Sequence, residues 1–289
     1  KKPRTAVSLV KNWVSANEFL YSSDELGVQD VYLMNAKSGR STRVTRLKMD
    51  ATSVKYHNGN LLFISRDPIQ SQILVYQRNK PGQFVKRYQR TWRGQFSIAD
   101  MNEAGDLIVN QLAYNKKVHF AKTSMDLKKL GNFETVVAMN PKLLSQLVAT
   151  EKIEDLTYET FDIDPKTKQK RKIRALLYHP KNPLKGKRKM AMIQSFYGYW
   201  NSYRDDIQIL QKAGLYVLTP APRGAGGLGR DFASLNDKDL GGNEIIDIIY
   251  AGKFLEKKLS INPKRIGVFG RSHGGYATMR LLTFPGEFN

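Results

Sequence analysis

"GVFGRSHGGYATM", residues 267–279, is the stretch on which the reading of this chain turns. A short apolar run, Ile266 to Phe269, meets Gly270-Arg271-Ser272-His273-Gly274-Gly275, and a helix-like segment follows. The pattern is G-x-S-x-G. Between a strand and a helix it holds the serine on a sharp turn with its hydroxyl presented above a sheet. The positions two before and two after the serine must be small, because the helix packs close to the strand. Gly270 and Gly274 satisfy this, and Gly275 adds room for close backbone approach. Ser272 is therefore expected to be a nucleophile that attacks a carbonyl carbon, assisted by a histidine base that an acid orients. The oxyanion formed needs preorganised donors. The backbone N–H of His273, the residue after the nucleophile, is the first of them. The His273 side chain is not expected as the base, because the side chain next to the nucleophile points elsewhere. The competing structural reading makes Ser272 a helix N-cap in a glycine-rich turn.

Working outward, strands and helices alternate on the N-terminal side of the serine. "LTYETFDID" (156–164) and "RKIRALLYH" (171–179) read as a hairpin around a basic turn, and "MAMIQSFYG" (190–198) as a buried strand. "NSYRDDIQILQKAG" (201–214) has apolar residues at helical spacing and ends in Gly214, a helix stop. "LYVLTPAP" (215–222) is a further strand. "GNEIIDIIYAGKFLEKKLS" (242–260) reads as an amphipathic helix whose buried stripe is Ile245, Ile248, Ile249, Phe254, Leu255 and Leu259. This order predicts an α/β domain with a mostly parallel, doubly wound sheet.

The first half reads as β and repeats. "NEFLYSS" (17–23), "GNLLFIS" (59–65) and "GDLIVNQ" (105–111) each place a polar turn before an apolar run; Phe19, Leu62 and Ile108 lie 43 and 46 residues apart. "DVYLMN" (30–35), "QILVYQ" (72–77) and "KVHFAK" (117–122) form a second column. Two aligned strands per unit at this period is the spacing of β-propeller blades, favoured over a β-sandwich with regular hairpins. Three such units are too few to close a propeller. The expected division is a partial β-propeller over 1–145, a connector containing "NPKLLSQLVAT", and an α/β domain bearing the serine turn over 146–289.

Three segments of the second half resemble the prolyl oligopeptidase family of serine peptidases, α/β-hydrolases capped by a β-propeller. They are "SFYGYWNSY" (195–203), "APRGAGGLGRDF" (221–232) and the region through "GVFGRSHGGY". The resemblance implies hydrolysis of short peptides. It also implies a tyrosine hydroxyl as second oxyanion donor, with Tyr197 favoured over Tyr199 because Trp200-Asn201 then falls where the family has an aromatic residue and Asn. Tyr199 and Trp200 replace family glycines. An esterase or acyl-peptide hydrolase on the same fold, and a non-catalytic basic propeller that binds polyanions, are the alternatives. Gly224-Ala225-Gly226-Gly227-Leu228-Gly229 fits G-x-G-x-x-G loosely, with Asp247 roughly 20 residues on. It is read instead as a structural turn beneath the active site, with Asp231 and Asp247 as partners.

In this fold the chain order is serine, acid, histidine. His57, His119 and His179 precede Ser272, and His179 is expected at the surface. The expectation is that this is a section of a larger enzyme whose acid and base follow Asn289.

The 289 residues carry a net charge of +21, and the excess is general: 23 Lys+Arg against 11 Asp+Glu in residues 1–150, and 24 against 15 thereafter. The runs 166–172 and 185–189 flank one strand and read as solvated loops rather than a nucleic-acid patch. No apolar run reaches the roughly 18–20 residues of a membrane span. No cysteine is present, which excludes disulfides and thiolate sites; it suits a bacterial periplasm without demanding it, and a cytoplasmic location stays open. No cofactor or nucleic-acid partner is expected.

Overall fold

The computed structural model describes residues 6–113, 116–138, 152–195, 202 and 204–283. Backbone contacts gather the chain into two compact units. The first contains three four-stranded antiparallel sheets, each a meander. They are β1 (Val7–Ser15), β2 (Glu18–Ser23), β3 (Asp30–Asn35) and β4 (Ser41–Arg43); then β5 (Asp50–His57), β6 (Asn60–Arg66), β7 (Gln70–Lys80) and β8 (Gln83–Arg93); then β9 (Gln95–Met101), β10 (Asp106–Ala113), β11 (Lys116–Ser124) and β12 (Glu134–Ala138). The two columns of the sequence repeat are the second and third strands of each sheet. The first strands β1, β5 and β9 lie against one another, as in consecutive propeller blades around an axis.

The middle blade shows why the repeat was readable. Leu61, Leu62, Phe63 and Ile64 on β6 are all fully buried. Successive strand side chains point to opposite faces. Leu61 and Phe63 pack with Val10, Leu20, Val31 and Leu33 of the first blade. Leu62 and Ile64 pack with Phe96, Ile98, Leu107 and Val109 of the third. A strand covered on both faces has no polar side to show, so it reads as a continuous apolar run. The first and fourth strands of the blades gave no such signal: β8, "QFVKRYQRTWR", contains no buried residue.

The second unit is a five-stranded sheet in the order β13-β14-β16-β15-β17. Its strands are β13 (Lys152–Ile163), β14 (Lys170–His179), β15 (Ala191–Gln194), β16 (Tyr216–Pro220) and β17 (Ile266–Phe269). Among the described residues, three helices of eight or more residues accompany it: α1 (Asp205–Lys212), α2 (Asn243–Leu259) and α3 (His273–Leu281). β15 runs parallel to both β16 and β17. β14 runs antiparallel to both β13 and β16. The sheet is thus mixed rather than mostly parallel over the described residues. The short basic turn after β13 leaves room only for an antiparallel return to β14, whereas the crossover through α1 makes β15 and β16 parallel.

The anticipated stripe of α2 lies in the core with Ile173, Leu177, Ile193, Leu218 and Ile266. His179 departs from its expected surface position. It is half-buried, with its Nε2 3.1 Å from Glu154, whose other oxygen accepts from Lys258 Nζ at 2.6 Å. Burial pushes the imidazole pKa down, partly opposed by the Glu154 carboxylate. Arg171 of the first basic run is also buried and pairs with Asp162 and Asp164 at 3.0 Å each. The connector 140–150 lies outside the described residues. No helix among the described residues is long and apolar enough to cross a membrane.

Phe63→Ala removes a fully buried ring between two blades and should cost about 3–5 kcal/mol. Leu9→Ala, at a residue 72% exposed, should change stability by less than about 0.5 kcal/mol. Denaturant titration followed by tryptophan fluorescence checks both. Equal losses from the two variants would contradict the blade packing.

Candidate active site

Ser272 sits between β17 and α3 with φ 56° and ψ −124°. A non-glycine residue at positive φ is held there only by its surroundings, at a cost of roughly 1–3 kcal/mol. Ser272 is exposed. It occupies the N-cap position of α3, yet its side chain makes no cap hydrogen bond. The N-cap reading of this serine therefore lacks the hydrogen bond that defines a cap. The carbonyl of Ser272 instead accepts from Tyr276 N at 3.1 Å.

The surroundings that hold the turn begin at Gly270. A Cβ there would lie 2.5 Å from Gly274 C and 2.5 Å from Ser195 Oγ, so any side chain collides with the first turn of α3 and with the end of β15. Gly275 is under no such demand: a Cβ there would meet Gly270 O at 3.6 Å, an ordinary contact. The smallness expected at Gly270 is thus required, while the close backbone approach expected at Gly275 is not seen.

Ser195 was not singled out by the sequence reading. It is buried just beyond β15, and its backbone N donates to Phe269 O at 2.9 Å, extending the β15–β17 ladder by one bond. Its hydroxyl lies 2.7 Å from Gly274 O, 3.1 Å from Phe269 O and 3.0 Å from Thr278 Oγ1. Thr278 Oγ1 itself donates to Gly274 O at 2.8 Å. Two strand ends and the first turn of α3 are thus tied at one small residue. The only sequence signal was a serine opening the "SFYGYW" segment.

His273 is the first residue of α3, where backbone N–H groups point out of the helix without intrahelical partners. Its imidazole lies toward Glu244, with Nε2 3.6 Å from Oε1, and its ring centroid is 5.5 Å from that of Tyr276. Glu244 is buried near the start of α2 and accepts from the backbone of Gly241 and, at 3.2 Å, of Gly242. Tyr197 and Tyr199 lie outside the described residues.

Arg223 and Asp247 account for the glycine-rich segment. Both are buried. The Asp247 carboxylate accepts from Arg223 N at 2.9 Å, Nε at 2.9 Å and Nη2 at 2.8 Å, and from Thr160 Oγ1 at 2.7 Å. Arg223 Nη2 also reaches Asp162 at 2.9 Å, and its guanidinium stacks 4.7 Å from the Phe161 ring centroid. Asp247 is thus the expected structural partner, with its carboxylate engaged by protein groups. The second acidic partner of Arg223 is Asp162 from β13, in the place where Asp231 was expected.

Residues 201–289 match the family model described as the prolyl oligopeptidase family. Over these residues the chain is similar to that family. The chain is 28% identical over 165 residues to a probable dipeptidyl-aminopeptidase B of Phaeosphaeria nodorum, a match covering 53% of this chain and 17% of that protein. It is 32% identical over 91 residues to the uncharacterized peptidase YuxL of Bacillus subtilis, covering 31% of this chain and 14% of that protein. The alignments thus span about a sixth of the length of these relatives. Among solved structures, prolyl oligopeptidase B from Galerina marginata superposes with a TM-score of 0.78 at 16% identity, over 100% of this chain and 41% of that one. Dipeptidyl peptidase 4 from Porphyromonas gingivalis gives 0.74 at 19% identity, over 96% and 39%. The fold is that of part of a β-propeller followed by an α/β-hydrolase domain.

Two predictions follow from this geometry. Gly270→Ala should destabilise the second unit by more than about 2 kcal/mol, through overpacking against backbone, while Gly275→Ala stays within about 1 kcal/mol. Denaturant midpoints of the two variants decide this, and equal tolerance would contradict the close approach. The second concerns acid. Burial raises the Asp162 carboxyl pKa, but hydrogen bonds from Arg223 and Arg171 outweigh it and hold the group below the usual carboxylate range. Such a group stabilises the fold above its unfolded pKa of about 3.9 and loses that contribution as pH falls through the lower folded value. Asp162→Asn should lower stability at neutral pH and flatten its decline below about pH 4. An unchanged acid limb in pH-dependent denaturation would contradict the network.

Proposed function

We propose that this chain is the propeller-and-nucleophile portion of a serine peptidase acting on short peptides. Residues 1–145 form part of the propeller and 146–289 the N-terminal part of the hydrolase domain. The observation that carries the reading is the backbone of Ser272: a strained, exposed, uncapped serine between a strand and a helix, in a segment matched by the family model. Similarity to dipeptidyl-aminopeptidases supports peptide substrates.

In this reading Ser272 Oγ attacks the scissile carbonyl while a histidine base takes its proton. The backbone N–H of His273 and the hydroxyl of Tyr197 donate to the developing oxyanion. Among the described residues of the second unit the histidines are His179 and His273, and each imidazole faces a glutamate, Glu154 and Glu244 respectively. The matches cover about a sixth of the relatives' length, and the base and its acid are assigned to the part of such a protein outside the matched region. The strain at Ser272 is assigned a role: it keeps the hydroxyl from settling into a helix cap.

The second reading, a non-catalytic propeller that binds anionic partners, is favoured by the net charge of +21. Kinetics on the protein extended through its base-bearing segment separate the two. Ser272→Ala should lower kcat on a chromogenic dipeptide substrate by about 10⁴-fold or more, and Tyr197→Phe by about 10²–10³-fold with little change in KM. Parent-like turnover by the Ser272→Ala variant would defeat the assignment.

A further inference from the structure

The hairpin β7–β8 forms the outer half of the second blade and carries charge of one sign. From Pro68 to Ala99 the chain has six cations, Arg78, Lys80, Lys86, Arg87, Arg90 and Arg93, and no carboxylate. Arg78 is taken up by Glu18 of the first blade. The other five residues are exposed. Among the described residues β8 is also an edge of its sheet, paired with β7 alone. The register advances by an extra residue at Arg87, where Val75 opposes Tyr88 and Tyr76 opposes Lys86. Beyond this bulge, Tyr88 to Arg93 pair without interruption with Val75 to Gln70. Six residues of straight edge, about 20 Å long, therefore present backbone N–H and C=O groups outward.

Basic side chains on an open edge repel a second copy of the same basic strand. They select the opposite charge. Cross-strand partners share a face and side chains alternate along β7, so Arg90, opposite Ile73, stands on one face of the edge, and Lys86 and Arg93, opposite Tyr76 and Gln70, stand on the other. Arg90 is held in place, its guanidinium 5.0 Å from the Trp92 ring centroid and its Nη1 donating to Gly131 O at 3.4 Å. A polyanion without a peptide backbone meets the charges but leaves the ladder groups unused. An acidic polypeptide in extended conformation satisfies both.

We propose that the outer edge of β8 docks an extended acidic polypeptide segment, which adds to the second blade as a fifth strand. Main-chain hydrogen bonds supply the alignment and the flanking arginines supply the selection, as in other cases of strand addition. The inference does not depend on the chemistry at Ser272.

The test is fluorescence anisotropy on the full chain with three labelled peptides: one alternating Glu and Thr, one alternating Lys and Thr, and the Glu–Thr peptide with alternate backbone nitrogens methylated. The Glu–Thr peptide should bind, and its affinity should fall with added salt. The Lys–Thr peptide and the N-methylated peptide should each bind at least about tenfold more weakly. Lys86→Glu/Arg87→Glu, at two exposed positions, should weaken the Glu–Thr peptide by a similar factor. No binding of the Glu–Thr peptide would overturn the proposal. So would equal binding of the N-methylated form, which needs no protein variant and would show charge acting without strand addition. Binding of duplex DNA or anionic vesicles in preference to the acidic peptide would assign the edge to a different partner and overturn it as well.

Discussion

A methyl group on Gly270 has nowhere to go. Its place is 2.5 Å from the Gly274 backbone and from Ser195 Oγ, and the architecture of the second unit follows from that closeness. The end of β17, the end of β15 and the first turn of α3 converge where Ser195 bonds to Phe269 and lies within bonding distance of Gly274. Once these elements are so near, the chain must reverse within Arg271 and Ser272, and an L-residue at that reversal is driven to positive φ. The strain at Ser272 is a consequence of packing, and packing over-determines it.

Charge within the second unit is arranged on the same logic. Arg223 is buried but has two carboxylates, and Asp247 spends its oxygens on Arg223 and Thr160. Removing one partner of a buried pair costs about 3–5 kcal/mol because the other is stranded, so the network fixes β13, α2 and the glycine-rich segment relative to one another. Glu244 does comparable work at the start of α2, accepting from Gly241 and Gly242 while facing His273. The first unit packs its blades through apolar contact, and the four cations of its outer strand β8 are exposed.

What could be read without the structure tracked how completely a segment is covered. β6 is buried on both faces, and its run Leu61 to Ile64 marked the blade repeat. α2 is covered on one face, and its isoleucines marked the helix. β8 is half in water, so no periodic signal survived. The elbow was legible because Gly270 and Gly274 are chemical requirements of the turn. The role of Ser195 was not, because a small buried serine shows nothing in sequence of the three groups it will meet. Asp162 was missed for a related reason: it is remote from Arg223 in the chain, and only the hairpin and the sheet bring the two together. His179 was misplaced because a histidine before proline at a strand end reads as exposed until Glu154 is set beside it.

The central claim is that the turn at Ser272 presents a reactive hydroxyl rather than a helix cap. A fluorophosphonate forms a covalent adduct only with a serine so activated. The direct measurement is mass-spectrometric mapping of that adduct on the protein extended through its base-bearing segment. The account predicts a single adduct on the peptide carrying Ser272, absent when the serine is alanine. An adduct at another serine, or none on protein that cleaves peptides, would contradict it.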